Sequence, residues 1–348
     1  MHHFIVALDS WHVPVPFDLL QLPGEDTYTL KTCDTRIQSP SEIRKTVKDA
    51  TIIALTVTRL DSLTLSEEYT PNLRLVVAVA SGTDSIDKSK CRERGIRVLN
   101  SPSSNSQSVA EHAMSLYFAS RRRILTVHHA MLNSNRWTEQ GTLADTLNLP
   151  NSQKPLSCRE ETVGIIGFGA VGQATAQLCR NLGMKEVLVA ARKGVSVSDL
   201  GEDSSRRTPF DEVLRRATVL VLCIPQIPET VGLISTQELH AMAPQALLIN
   251  VSRGGIVDEP ALIEALKEHR ISGAATDVFL KEPSGSGDAW QPGDSPLLRL
   301  TQEEADALNL VMTPHVAWYT QATVHNYLQT LKNNVEQWHQ GTETNVVV

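Results

Sequence analysis

Apolar residues gather in short runs along this chain, at 4–8, 51–55, 73–80 and 96–99, each rich in Val, Ile and Leu. Polar, turn-rich or helix-compatible stretches separate them. A strand buried on both faces gives continuous runs of this kind, whereas a half-exposed strand alternates. A second series follows at 162–166, 187–191, 218–224, 246–251, 273–278 and 310–313. Strand and helix patterns that take turns in this way predict two parallel α/β sheets.

Between the two series, residues 106–131 predict a helix that is apolar on several faces, through Met114, Leu116, Tyr117 and Phe118, and therefore buried between domains. Ser108 and Glu111 have the spacing of a capping box, in which each side chain bonds the other's backbone N–H. The stretch 133–161 is polar and turn-rich apart from Trp137, and suits an arm, a lid or an oligomer contact. A second long loop, rich in Pro, Gly, Ser and Asp, covers 281–296.

The strand at 162–166 runs into Gly167-Phe168-Gly169-Ala170-Val171-Gly172, and then Val171, Ala174, Leu178 and Leu182 repeat at helical spacing up to Gly183. In this setting Gly167 allows a tight turn, Gly169 admits a pyrophosphate, and Gly172 lets helix and strand pack closely. The helix N-terminus faces the phosphate charge. This reading predicts dinucleotide binding. The next strand commonly ends in an Asp or Glu that binds the adenosine ribose. Here it ends Ala190-Ala191-Arg192-Lys193, with a base and no acid. A guanidinium suits a 2′-phosphate, so Arg192 and Lys193 predict NADP over NAD.

Composition narrows the classes. The 348 residues are 41% hydrophobic and 20% charged, enough apolar material for a folded core. With 32 Lys and Arg against 39 Asp and Glu, the net charge of −7 argues against a nucleic-acid or anionic-membrane partner. The basic clusters Arg121-Arg122-Arg123 and Arg206-Arg207 read as a helix C-terminus and a polar loop. Cys33, Cys91, Cys158, Cys179 and Cys223 are scattered, with no metal-ligand spacing, and read as reduced thiols. No apolar run approaches the ~20 residues of a membrane span, and the N-terminal run is too short for a secretory signal. A cytoplasmic protein without a resident metal is expected.

Three ordered motifs carry a family resemblance. They are Val251-Ser252-Arg253-Gly254-Gly255-Ile256-Val257-Asp258, then Ala275-Thr276-Asp277-Val278-Phe279 with Glu282-Pro283, then Thr313-Pro314-His315-Val316-Ala317-Trp318. Arg253 precedes Glu282 by 29 residues, and Glu282 precedes His315 by 33. Together with Ala80-Ser81-Gly82-Thr83-Asp84 and Asn100-Ser101-Pro102, they resemble the D-isomer-specific 2-hydroxyacid dehydrogenases over nearly the whole chain.

The resemblance implies a Rossmann cofactor domain, 104–314, inserted into a flavodoxin-like substrate domain formed by 1–103 and 315–348. The active site would lie in the cleft between them, and the protein would be a homodimer with 125–155 as its arm. His315 would be the general acid, Glu282 would hold its imidazole, and Arg253 would bind the substrate carboxylate. Backbone N–H groups of Ser81 and Gly82 would be a second carboxylate anchor. Trp318 would wall the pocket, and Trp137 could reach a partner's site. Phe168, Ala170 and Val171 of the glycine loop, Ile224, Pro225 and Thr230, Val251 and Ser252, Asp277 and Ser108 fall at cofactor-contact positions. Asp277 serves equally as a turn cap, Ser108 equally as a helix cap, and Cys223 reads as an apolar filler.

The chain departs from the family pattern in three places. The residues before the glycine strand lack the usual Gly-Lys. The loop after Glu282 looks lengthened, through Trp290 to Leu310. No regulatory domain is expected after the His315 helix. Glu rather than Gln paired with His disfavours a formate dehydrogenase-like enzyme. The expected reaction is NADPH-dependent reduction of a small 2-oxoacid to the D-2-hydroxyacid, with glyoxylate or hydroxypyruvate first and branched or aromatic 2-oxoacids next. Two rivals stand beside it: a nucleotide-sensing corepressor scaffold like the C-terminal binding proteins, and oxidation of phosphite.

Overall fold

The computed structural model describes residues 1–22, 26–37, 39–149, 152–195, 207–283 and 294–348. The chain divides into two compact units. One is built on Met1–Asn105 and Tyr319–Val348, the other on Ser106–Glu282 and a later segment ending at Trp318.

The first unit holds β1 (His2–Ala7), β2 (Thr27–Thr32), α1 (Pro40–Val47), β3 (Ile52–Leu55), β4 (Leu75–Ala78), α2 (Lys88–Glu93) and β5 (Arg97–Leu99). Its strands are all parallel in the order β2-β1-β3-β4-β5, the flavodoxin-like arrangement. Ile53, Val76 and Val98 pack with Ile43 and Val47 of α1 beneath that sheet. Strand β2 escaped the sequence reading. Its Thr-Tyr-Thr-Leu-Lys-Thr alternates exposed and half-buried positions, because it is an edge strand with only one neighbour.

The second unit opens with α3 (Ser106–Arg121), α4 (Ile124–Asn133) and α5 (Arg136–Gln140). It continues through β6 (Thr162–Ile166), α6 (Ala170–Asn181), β7 (Glu186–Val189), α7 (Phe210–Arg216), β8 (Val219–Leu222), α8 (Thr236–Ala241) and β9 (Leu247–Asn250). It ends with α9 (Glu259–Lys267), β10 (Gly273–Thr276), α10 (Gln302–Ala307) and β11 (Leu310–Met312). The six strands are parallel in the order β11-β10-β9-β8-β6-β7, a doubly wound sheet. Alternate residues feed two cores: Val163, Ile165, Val221 and Ile249 pack toward α3 and α6, while Ile166, Leu220, Leu222 and Leu248 pack on the other face. The order reverses at β6, between β7 and β8, so the loops after β6 and β8 flank a switch-point crevice. Finally α11 (Gln321–Gln340) returns the chain to the first unit, where Tyr327, Leu331 and Val335 are buried.

Several sequence expectations need correction. The helix predicted over 106–131 is broken into α3 and α4 by Arg123, whose φ of 44° is left-handed. Ser108 lies inside α3, buried, and does not cap it, while Glu111 bonds the Gln107 side chain instead. Helix α3 packs on α6 as a layer of the second unit. Arg121 does end α3 but is not a solvated cation. It is 2% exposed and forms a two-bond pair with Glu161, at 2.6 and 3.1 Å, while also donating to the carbonyls of Thr218 and Gln245. Part of the polar stretch 133–161 is α5. The described end of the long loop, from 294 on, is a short 3-10 turn followed by α10. The last change of unit comes after Trp318 rather than at 315, and Asp277 holds Val316 and Ala317. Arg206 and Trp290 lie outside the described residues.

Candidate active site

Gly167 turns the chain out of β6 with φ of 92°, and a Cβ there would overlap the backbone carbonyl of Cys223 and the Ile224 side chain. The carbonyl of Gly167 occupies the place a Cβ on Gly172 would need. The two loops at the switch point are thus locked together by small residues. Gly169 is the N-cap of α6 and makes no side-chain cap bond, and nothing lies within 4 Å of the place its Cβ would take. Uncapped N–H groups beside open space fit the pyrophosphate of a dinucleotide. Gly169 and Ala170 are exposed, and Phe168 and Val171 half-buried. Gly183, with φ of 70°, ends α6 in a Schellman turn: its N–H bonds Arg180 O and the Met184 N–H bonds Cys179 O.

The loop after β8 stitches itself. The Thr230 hydroxyl donates to Pro225 O at 2.8 Å and accepts the Ile227 N–H at 2.9 Å. Burial pushes the Cys223 thiol up to about 12, so it stays protonated and serves as packing.

Past β7, Arg192 is exposed while the Lys193 ammonium pairs with Glu238 at 2.7 Å. Glu238 is buried; burial disfavours its charge, but the Lys193 bond and the Ser235 N–H outweigh that and hold its pKa low. The sequence reading missed this acid because α8 brings it from far along the chain. It also set Arg207 aside as loop, yet its guanidinium lies 5.5 Å from the Phe168 ring centroid.

His315, Glu282, Arg253 and Asp277 all belong to the second unit. His315 is left-handed at φ of 54°, and its N–H bonds the Asp277 carbonyl at 2.7 Å. Its Nδ1 meets Glu282 Oε2 at 2.6 Å. The other Glu282 oxygen accepts the Phe279 N–H at 2.9 Å, which fixes the carboxylate. Buried Glu259 braces the same loop by accepting the Leu280 N–H and the Ser295 hydroxyl. Burial opposes the charged imidazole, but the bond and charge of Glu282, with help from Asp277, overcome burial and the opposing Arg253 charge, raising the His315 pKa above 6.5.

Arg253 follows β9 on a loop built by Asn250. The Asn250 amide donates to Arg253 O at 2.9 Å, and its oxygen accepts the Ser252 N–H and hydroxyl. Val251 and Ser252 are buried beside it. A Cβ on Gly254 would overlap the Phe279 carbonyl, so this glycine brings the Arg253 loop against the Glu282 loop. Asn250 was overlooked in the sequence; an Asn closing an apolar strand was the available signal.

Asp277 is 1% exposed, and its oxygens accept from the Thr313 hydroxyl, Val316 N–H and Ala317 N–H. These contacts are those of a loop clamp. Trp318 packs partly buried beside Ala317. Ser81 and Gly82 lie in the first unit, beyond β4, where the Ser81 hydroxyl bonds Ser101 O and Asn105. Trp137 on α5 is exposed.

A sheet with a glycine-loop crevice and a His–Glu pair at its strand ends defines a nucleotide-dependent oxidoreductase. Residues 114–317 match the D-isomer specific 2-hydroxyacid dehydrogenase, NAD binding domain. The chain is 32% identical to a glycerate dehydrogenase of Methylorubrum extorquens over 89% of each chain. It is 31% identical to a glyoxylate reductase of Pyrococcus furiosus, over 84% of this chain and 80% of the relative. Among solved structures, D-lactate dehydrogenase from Aquifex aeolicus, complexed with NAD and lactic acid, superposes with a TM-score of 0.76 at 25% identity over 99% of each chain. The chain therefore belongs to the D-isomer-specific 2-hydroxyacid dehydrogenases and is an NAD(P)-dependent oxidoreductase.

Proposed function

We propose that this enzyme reduces a small 2-oxoacid to the D-2-hydroxyacid with NADPH, glyoxylate and hydroxypyruvate being the first candidates. The 2.6 Å bond between His315 and Glu282 carries the reading. With Nδ1 engaged, Nε2 is left to give its proton to the substrate carbonyl oxygen, and the bond and charge of Glu282 favour the protonated ring. Arg253 binds the substrate carboxylate as a fork and polarises the carbonyl. The bound nicotinamide supplies the hydride. Gly167, Gly169 and Ala170 would hold its pyrophosphate, beside the loop of Ile224 and Pro225. In the reverse direction neutral His315 takes the hydroxyl proton.

NADPH preference rests on exposed Arg192 where family members commonly carry an acid. Lys193 contributes less, because Glu238 already occupies it. The homodimer reading rests on α4, which buries no residue and exposes Ile124, Leu125, Met131 and Leu132. Loss of NADPH absorbance across a panel of 2-oxoacids, with NADH in parallel, tests the reaction. A substrate turned over faster with NADPH supports it, and Arg192→Asp should then swing preference toward NADH. Tight NADPH binding without turnover of any 2-oxoacid overturns it in favour of a sensor, and activity with phosphite and NADP overturns it in favour of phosphite oxidation.

A further inference from the structure

Three ligating side chains converge in the first unit, apart from the His315 cluster. His3 lies on β1 with its ring 2% exposed, and neither ring nitrogen has a hydrogen-bond partner. Its ring stands edge-on to Trp338 at 5.7 Å and to His339 at 5.3 Å, both in the last turns of α11. Asp26 directly precedes β2, and its Oδ2 lies 3.0 Å from His339 Nε2. Its Oδ1 takes the terminal ammonium of Met1. One ligand atom from each of His3, Asp26 and His339 can be chosen so that all lie within 4.8 Å of one another.

A buried imidazole with two idle nitrogens needs a partner that the protein does not itself supply. We propose that His3, Asp26 and His339 bind one divalent transition-metal ion, Zn2+ by the nature of the donors. Two imidazoles and a carboxylate suit a borderline ion such as Zn2+ better than Mg2+ or Ca2+, which take oxygen. A tetrahedral ion would keep its fourth position for water. Bound there, it ties the start of β1 and the approach to β2 to the end of α11, so its effect is on stability. The sequence did not show this site, because its ligands come from three distant segments with no motif spacing.

The test is a Co2+ titration of untagged, EDTA-stripped protein, with His339→Ala and Asp26→Ala alongside. These half-buried positions spare buried His3, whose replacement could unfold the sheet. The expected result is one equivalent of Co2+, a visible d–d band displaced by Zn2+, and a Tm that rises with Zn2+ and falls back with EDTA. Each variant, folded by circular dichroism, should bind at least tenfold more weakly (each tenfold is one decade in Kd). Absence of binding by the wild type overturns the site. So does wild-type affinity in both variants, or a thiolate charge-transfer band marking cysteine ligation.

Discussion

Asp9 and Asp277 hold matching places in the two units. Each follows a parallel strand at its carboxyl end, each is buried, and each gathers donors from the loop after the neighbouring strand. Asp9, beyond β1, accepts the N–H groups of Thr56, Val57 and Thr58 at 2.8–3.0 Å and the Thr58 hydroxyl, all just past β3. Asp277, beyond β10, accepts from Val316, Ala317 and the Thr313 hydroxyl, all just past β11. A parallel strand leaves its last loop's N–H groups without a ladder partner, and a carboxylate next door satisfies several at once. The difference is what the loop carries. The loop under Asp9 holds no histidine, whereas the loop under Asp277 holds His315. The clamp belongs to the fold, and the candidate acid is one residue placed upon it.

His315→Ala should break the comparison most severely. Loss of a positioned acid removes roughly 10²–10⁴-fold of kcat/KM, while nucleotide affinity and Tm stay near wild type. Retained turnover on the best 2-oxoacid would end the assignment of His315.

The two aspartates come next. Asp9→Ala and Asp277→Ala each strand several buried donors, at a cost of about 1–3 kcal/mol or more in urea unfolding. Only Asp277→Ala should also lower kcat, because only its loop positions the acid. Equal kcat losses in the two variants would mean that the parallel was misread. The pair Arg121–Glu161 sharpens the same contrast. Glu161→Gln leaves a buried guanidinium short of its counter-charge, costing about 3–5 kcal/mol, with kcat unchanged in the protein that remains folded.

The subtlest test is Glu282→Gln, read as a pH profile of 2-oxoacid reduction. Burial lowers the His315 pKa and Glu282 more than restores it, so the variant's alkaline limb should move to lower pH. A raised folded pKa also stabilises the protein fully below the unfolded value of about 6.5 and loses that contribution as pH rises through the folded value. Wild type and Glu282→Gln should therefore converge in stability at alkaline pH. A limb that does not move would place the control of His315 elsewhere.

Much of the site was legible because local rules wrote it. Gly167 is required by a positive-φ turn and Gly172 by a close approach to Gly167, both within one strand–loop–helix unit. His315, Arg253 and Glu282 sit within motifs whose neighbours, Pro314, Gly254 and Pro283, constrain the backbone beside them. The braces were not legible. Asn250, Glu259 and Asp277 act on loops that reach them only when parallel strands lie side by side, and Glu238 of α8 meets Lys193 across 45 residues of sequence. Ser108 looked like a cap, and Arg121 only like the end of a helix, because a linear pattern carries no information about burial.

Periodicity and glycine placement thus determined two parallel sheets and the glycine-loop crevice, since these depend on backbone sterics within a few residues. Only the tertiary structure decided which carboxylates clamp, which cations are already paired, and that His3, Asp26 and His339 share one pocket of space. Hydrogen bonds and ion pairs act over about 3 Å, so partners distant in sequence become visible only once the chain has brought them together.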